Sequence, residues 1–248
     1  DLAAVTGKLV DLLNTLPGQD IPKEAGGGKV LAPRGVIHAG DCIDTGDKAN
    51  VKMQETEWAA FADAYGLTGK DGKLKVPVYE VHGNHDSPRG DGIAVKKIVE
   101  RNKTRPGVTN VSKSGVHYSW DWAGVHFVCL GIVVGQVADV SRKRRYAPLG
   151  SLEFLVSDLK EKVGASGKPV VITQHIGDIP YTNPIARHTL SGVAGMSRCF
   201  TPYSASASTM ALVTAARAGV VPPSPPARTP SGLAGAGISM SSVSNEGN

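Results

Sequence analysis

Three short apolar runs in this chain each hand over, at their end, to side chains that bind cations or carry protons. They are Val36-Ile37-His38-Ala39-Gly40-Asp41, Val76-Pro77-Val78-Tyr79-Glu80-Val81-His82-Gly83-Asn84-His85-Asp86 and Val170-Val171-Ile172-Thr173-Gln174-His175. β-Branched and aromatic residues in runs of this length read as buried strands. A strand that stops at a glycine and then presents polar ligands is a common way to build a site at a sheet edge. If the three strands are neighbours, Asp41, Asn84, His85, Asp86 and His175 gather at one edge of one sheet. Carboxylate, amide oxygen and imidazole together suit a hard-to-borderline metal ion. Asn84-His85-Asp86 is also good turn chemistry, so the weight lies on all three strand ends occurring together.

The intervening segments read as layered α/β. Apolar periodicity predicts helices over Leu2–Leu16, Gln54–Tyr65, Gly92–Asn102 and Leu149–Val163, the last with Leu152, Leu155, Val156 and Leu159 on one face. Val116–Trp122 and Val125–Val134 read as two antiparallel strands around Ala123-Gly124. Right-handed strand–helix–strand connections would then bring the motifs to one sheet edge.

Gly40-Asp41, Gly83-Asn84-His85-Asp86 and Gln174-His175 resemble the second, third and fourth signature blocks of the calcineurin-like metallophosphoesterases, a superfamily that includes purple acid phosphatases and cyclic-nucleotide phosphodiesterases. The likeness covers roughly residues 30 to 180. It implies a four-layer αββα sandwich with mixed sheets, two metal ions at the strand ends (iron, zinc or manganese), and hydrolysis of phosphoric esters. Carried over by residue, it implies that Asp41 bridges both metals and that Asn84 and His175 ligate the second. His85 would stand beside the scissile phosphate, oriented by Asp86, with Asp44 supporting the metal loop from behind.

The same likeness implies an Asp-x-His block on a strand ahead of the first helix and a Gly-His-x-His block after His175. Neither occurs in this sequence. The expectation is a chain truncated at its N-terminus and altered at its C-terminus, with a domain over residues 1–185. His188 is the only histidine after His175, and recruiting it as a ligand is not expected. All 16 lysines lie at or before Lys168, whereas serine, alanine, glycine, proline and threonine dominate residues 186–248. Such a composition buries too little apolar surface to offset chain entropy, so a disordered tail is expected there, with at most a short helix from Met210 to Arg217.

Three widely spaced cysteines, Cys42, Cys129 and Cys199, indicate neither a zinc ribbon nor a disulfide framework. Cys42, next to Asp41, reads as a small packing residue. His38, His117 and His126 fall in or beside apparent strands and read as packing or surface residues. No apolar run is long enough to span a membrane, and no signal peptide is visible. The basic run Arg142-Lys143-Arg144-Arg145 would attract an anionic ester. Without interleaved stacking aromatics, and at a modest net charge of +5, nucleic acid is not the expected partner. The expected function is metal-dependent hydrolysis of a phosphate ester. The alternatives are a non-catalytic remnant that binds a ligand or partner on the same fold, and a phosphodiesterase acting on cyclic nucleotides or lipids.

Overall fold

The computed structural model describes residues 2–135, 146–176 and 210–213. In chain order these form α1 (Leu2–Thr15), β1 (Gly35–His38), α2 (Val51–Tyr65), β2 (Val78–Glu80), α3 (Ile93–Asn102), β3 (Val108–Val111), β4 (Tyr118–Trp122), β5 (Val125–Cys129), α4 (Ser151–Asp158), β6 (Val170–Thr173) and β7 (Met210–Val213). The strands make two sheets, in the orders β2-β1-β7 and β3-β4-β5-β6. Both are mixed: β1 runs parallel to β2 and antiparallel to β7, while β5 runs antiparallel to β4 and parallel to β6.

Side-chain alternation along the strands stacks these sheets into four layers. Val36 and Val78 face one way, into a core with Val10 and Leu13 of α1, Trp58 and Phe61 of α2, and Ile98 of α3. Ile37 and Tyr79 face the other way and meet Tyr118, Trp120, Trp122, Phe127 and Cys129 of the second sheet. Val128 and Leu130 turn to the far side and pack on Leu152, Phe154 and Leu155 of α4. Helices, sheet, sheet and helix are thus joined by three separate cores, the αββα order that the family resemblance implies. The middle core is aromatic: Tyr79 stacks on Trp120 at 4.2 Å between ring centroids, and Trp120 on Phe127 at 5.2 Å. Offset aromatic pairs of this kind add about 0.5–1.5 kcal/mol each beyond area burial.

Several boundaries differ from the sequence reading, each for a local reason. The helix expected from Leu149 starts at Ser151, because Leu149 and Gly150 take left-handed backbone, φ 51° and 77°. Its far end widens into a π-type turn, Leu159–Val163. β3 was not anticipated; it is a half-exposed edge strand whose four residues carry too weak an alternation to be read. The short helix expected from Met210 is replaced by β7, which pairs antiparallel with β1 from Gly35↔Val213 to His38↔Met210. The edge of β1 offers unpaired backbone groups, and so short a segment gains more from that ladder than from an isolated helical turn. His188, Cys199, the Arg142–Arg145 run and the rest of the 186–248 segment lie outside the described residues. Among the described residues no helix is long and apolar enough to cross a membrane.

Candidate metal centre

The three ligand-bearing strand ends do meet, but not along one sheet. Asp41 and Asn84 follow the parallel neighbours β1 and β2 of the first sheet, whereas His175 follows β6 of the second. The site therefore spans the top of the sandwich, and the expected single-sheet edge is corrected to an edge shared by two sheets. Backbone bonds carry His175 there: its N–H donates to the Gly131 carbonyl at 3.1 Å, beyond the end of β5.

Close approach of the two first-sheet loops depends on Gly83. A Cβ at that position would lie 2.1 Å from Asp41 Oδ1, far inside contact distance. Asp41 itself has φ 54°, a left-handed conformation that is uncommon for a residue with a side chain and tolerated best by Asp and Asn. That backbone turn brings one carboxylate oxygen, Oδ1, to the His85 N–H at 2.9 Å. The other, Oδ2, lies 3.4 Å from His175 Nε2.

The protonation of His175 follows from its partners. Nδ1 stands 2.7 Å from the Ala39 carbonyl oxygen, which can only accept, so Nδ1 carries the hydrogen. In the neutral ring Nε2 then holds a lone pair, and it faces Asn84 Oδ1 at 3.0 Å as well as Asp41 Oδ2 at 3.4 Å. With Nε2 unprotonated, these three atoms make a donor set that a cation could complete. Donors about 2.1 Å from one ion stand roughly 3.0 Å apart in octahedral and roughly 3.4 Å apart in tetrahedral geometry. The two spacings from His175 Nε2, 3.0 Å to Asn84 Oδ1 and 3.4 Å to Asp41 Oδ2, lie within that range. Among the described residues no group of three His, Cys, Asp or Glu side chains could hold a metal ion; the third donor here is the amide of Asn84. The residues thus fit one ion.

His85 and Asp86 part company. Asp86 was expected to orient His85, but it is fully buried and serves the backbone: Ile43 N–H donates to Oδ1 at 2.9 Å and Gly83 N–H to Oδ2 at 2.6 Å. Burial pushes its carboxyl up to about 7, against the downward pull of the Gly83, Ile43 and Cys42 amides. A carboxylate cut off from water must find donors, and the amides of the two loops are nearest. Asp86 is therefore the tie between the β1 and β2 loops. The partner of His85 is instead Asp44, whose carbonyl oxygen and Oδ1 each lie 3.1 Å from His85 Nδ1. This contact needs Gly46, since a Cβ there would sit 2.1 Å from the Asp86 carbonyl oxygen.

Glu57 of α2, unremarked in the sequence, holds the same loop. Its Oε2 accepts from the N–H groups of Asp44 at 3.1 Å and Thr45 at 3.0 Å, and from Thr45 Oγ1 at 2.8 Å. The neighbouring histidines do other work. His38 and His82 are buried, and burial pushes them down to about 4 and about 3, so both are neutral. Cys42 packs in the core beneath the loop.

A model of the calcineurin-like phosphoesterase family matches residues 6–202. The chain is also 40% identical over 73 residues to purple acid phosphatase 23 of Arabidopsis thaliana, an alignment covering 29% of this chain and 16% of that relative. No solved structure matches.

Proposed function

Because the chain belongs to the calcineurin-like phosphoesterase family, we propose that it hydrolyses phosphoric esters at a metal centre held by Asp41, Asn84 and His175. The observation that carries this reading is the approach of Asn84 Oδ1 and Asp41 Oδ2 to His175 Nε2, at 3.0 and 3.4 Å. A second ion, as the family resemblance implies, would share Asp41 and draw its remaining ligands from elsewhere. Iron, zinc or manganese suits the mixed oxygen and imidazole set. When bound, such ions supply Lewis acidity toward the phosphoryl oxygens and make a water molecule nucleophilic near neutral pH.

The chain's own residues supply the rest. As water forms the new P–O bond and the ester P–O bond breaks, the leaving oxygen needs a proton. His85 Nδ1–H is engaged by Asp44, so a proton on Nε2 is the one available to that oxygen. Asp86 keeps the β1 and β2 loops at their working separation without touching the reacting atoms. Nothing in this set distinguishes a monoester from a diester of a nucleotide or lipid, because the residues address the phosphoryl group and not its substituents.

The test is turnover of a chromogenic phosphate monoester by the purified chain supplied with manganese, iron or zinc. Turnover that disappears in Asp41→Asn is the expected result. Tight metal binding without turnover would instead favour a non-catalytic remnant.

A further inference from the structure

We infer that Glu57 is a positioning residue for His85, acting through the backbone of Asp44 and Thr45; this inference rests on the hydrolase reading above. Asp44 is a poor anchor by itself, because its side chain is 71% exposed and, apart from His85, its cation partner among the described residues is Lys48 at 3.3 Å, also exposed. A solvated carboxylate of that kind holds no fixed direction. Yet His85 Nδ1 contacts both the Asp44 carbonyl oxygen and Oδ1 at 3.1 Å, so its orientation depends on where the loop backbone lies.

That backbone is fixed from α2. One oxygen of Glu57 takes three hydrogen bonds from residues 44 and 45, all between 2.8 and 3.1 Å. Gln54, one turn earlier on the same helix, donates to the Lys48 carbonyl at 2.6 Å, and Asn50 caps the helix by accepting from Met53 N–H at 3.1 Å. The loop is thus tied to α2 at both ends of its turn, and α2 is anchored in the core by Trp58 and Phe61. Core packing sets α2, Glu57 sets the Asp44–Thr45 peptide, and the peptide sets the tautomer and direction of the His85 ring. Outer partners of this type alter activity by about 10- to 100-fold without touching substrate.

The experiment compares Glu57→Ala and Glu57→Gln with the unaltered chain. Because a single oxygen takes all three bonds, the amide oxygen of glutamine retains most of the interaction, whereas alanine removes it. Glu57→Ala is expected to lower kcat by about tenfold or more, with KM and manganese affinity within about twofold, and Glu57→Gln to recover most of the loss. Unchanged kcat in Glu57→Ala, or a loss that follows manganese affinity, would overturn the inference. A second readout needs no turnover: the 15N spectrum of the His85 ring in mildly alkaline, metal-free buffer. The unaltered chain and Glu57→Gln should show the Nδ1–H tautomer, and Glu57→Ala a mixture with Nε2–H. An unchanged tautomer in Glu57→Ala contradicts the positioning role even if the chain has no phosphoesterase activity at all.

Discussion

Glu80 and Asn84 stand four residues apart on one strand and its loop, yet their surroundings are opposite in kind. Glu80 is fully buried and closed off by protein. Arg105 grips both of its oxygens, at 2.5 and 2.7 Å, and Arg101 Nε reaches Oε1 at 2.7 Å. Tyr118 lies 4.7 Å beneath the Arg105 guanidinium. Burial alone would push the Glu80 carboxyl up, but the two guanidinium charges outweigh it and hold it below the usual range. Every charge in that cluster has its partner. Asn84 Oδ1 instead faces His175 Nε2 at 3.0 Å, which is itself 3.4 Å from Asp41 Oδ2, and on the proposed reading a cation would complete that set. One cluster ties α3 to β2; the other, on the proposed reading, would be completed by a bound cation. A polar cluster is read as structural or functional by whether the protein itself completes it.

The most disruptive way to test this contrast is to open the closed cluster. Arg105→Met leaves Glu80 buried with half its compensation and should cost about 3–5 kcal/mol in urea unfolding. Asp41→Asn, which keeps a residue tolerant of left-handed backbone, should cost under about 1 kcal/mol in the same measurement. Equal losses would mean that both clusters are structural.

A second contrast separates two buried histidines of the second sheet by the sign of their pH dependence. His117 lies between backbone groups: Nε2 donates to the Leu149 carbonyl at 3.1 Å and Nδ1 accepts from Gly131 N–H at 3.1 Å. Burial lowers it from 6.5 to about 4, so the unfolded chain takes up a proton first as pH falls. Its contribution, of order 3 kcal/mol, should be lost between about pH 6.5 and 4. His126 lies between carboxylates, with Asp121 at 2.9 Å from Nδ1 and Asp158 at 2.7 Å from Nε2. Burial would lower it, but those partners win and hold it above the ordinary value. Its stabilisation is fully present below about pH 6.5 and is lost as pH rises through the folded value. Urea midpoints across pH 4 to 8 should therefore flatten on the acid side in His117→Gln and on the alkaline side in His126→Gln. The reverse pattern would break both assignments.

The four-layer order came from the family resemblance, and the strands beneath it from apolar runs whose alternation the structure sorts into two cores, Val36 and Val78 in one and Ile37 and Tyr79 in the other. The positions of Asp41, Asn84 and His175 in loops just beyond strand ends were legible too, since each lies two to four residues past an apolar run. What could not be read were relations across loops. His175 comes from the opposite sheet, and nothing local to residues 170–175 says so. Asp86 and Asp44 exchanged expected roles because burial, not sequence adjacency to His85, decides which carboxylate must satisfy backbone amides. The Asp-x-x-Asp spacing of Asp41 and Asp44 was the available signal for the latter. Glu57 gave none, because a half-buried glutamate on an amphipathic helix looks like any other until the loop it holds is in place.

On the proposed reading Asp41, Asn84 and His175 hold a cation and His85 does not. The direct measurement is manganese titration calorimetry on the unaltered chain, His175→Ala and His85→Ala. His175→Ala should weaken binding by about a hundredfold, roughly 2.7 kcal/mol, and His85→Ala by no more than about twofold. A loss in His85→Ala as large as that in His175→Ala would make His85 a ligand and contradict the role assigned to it.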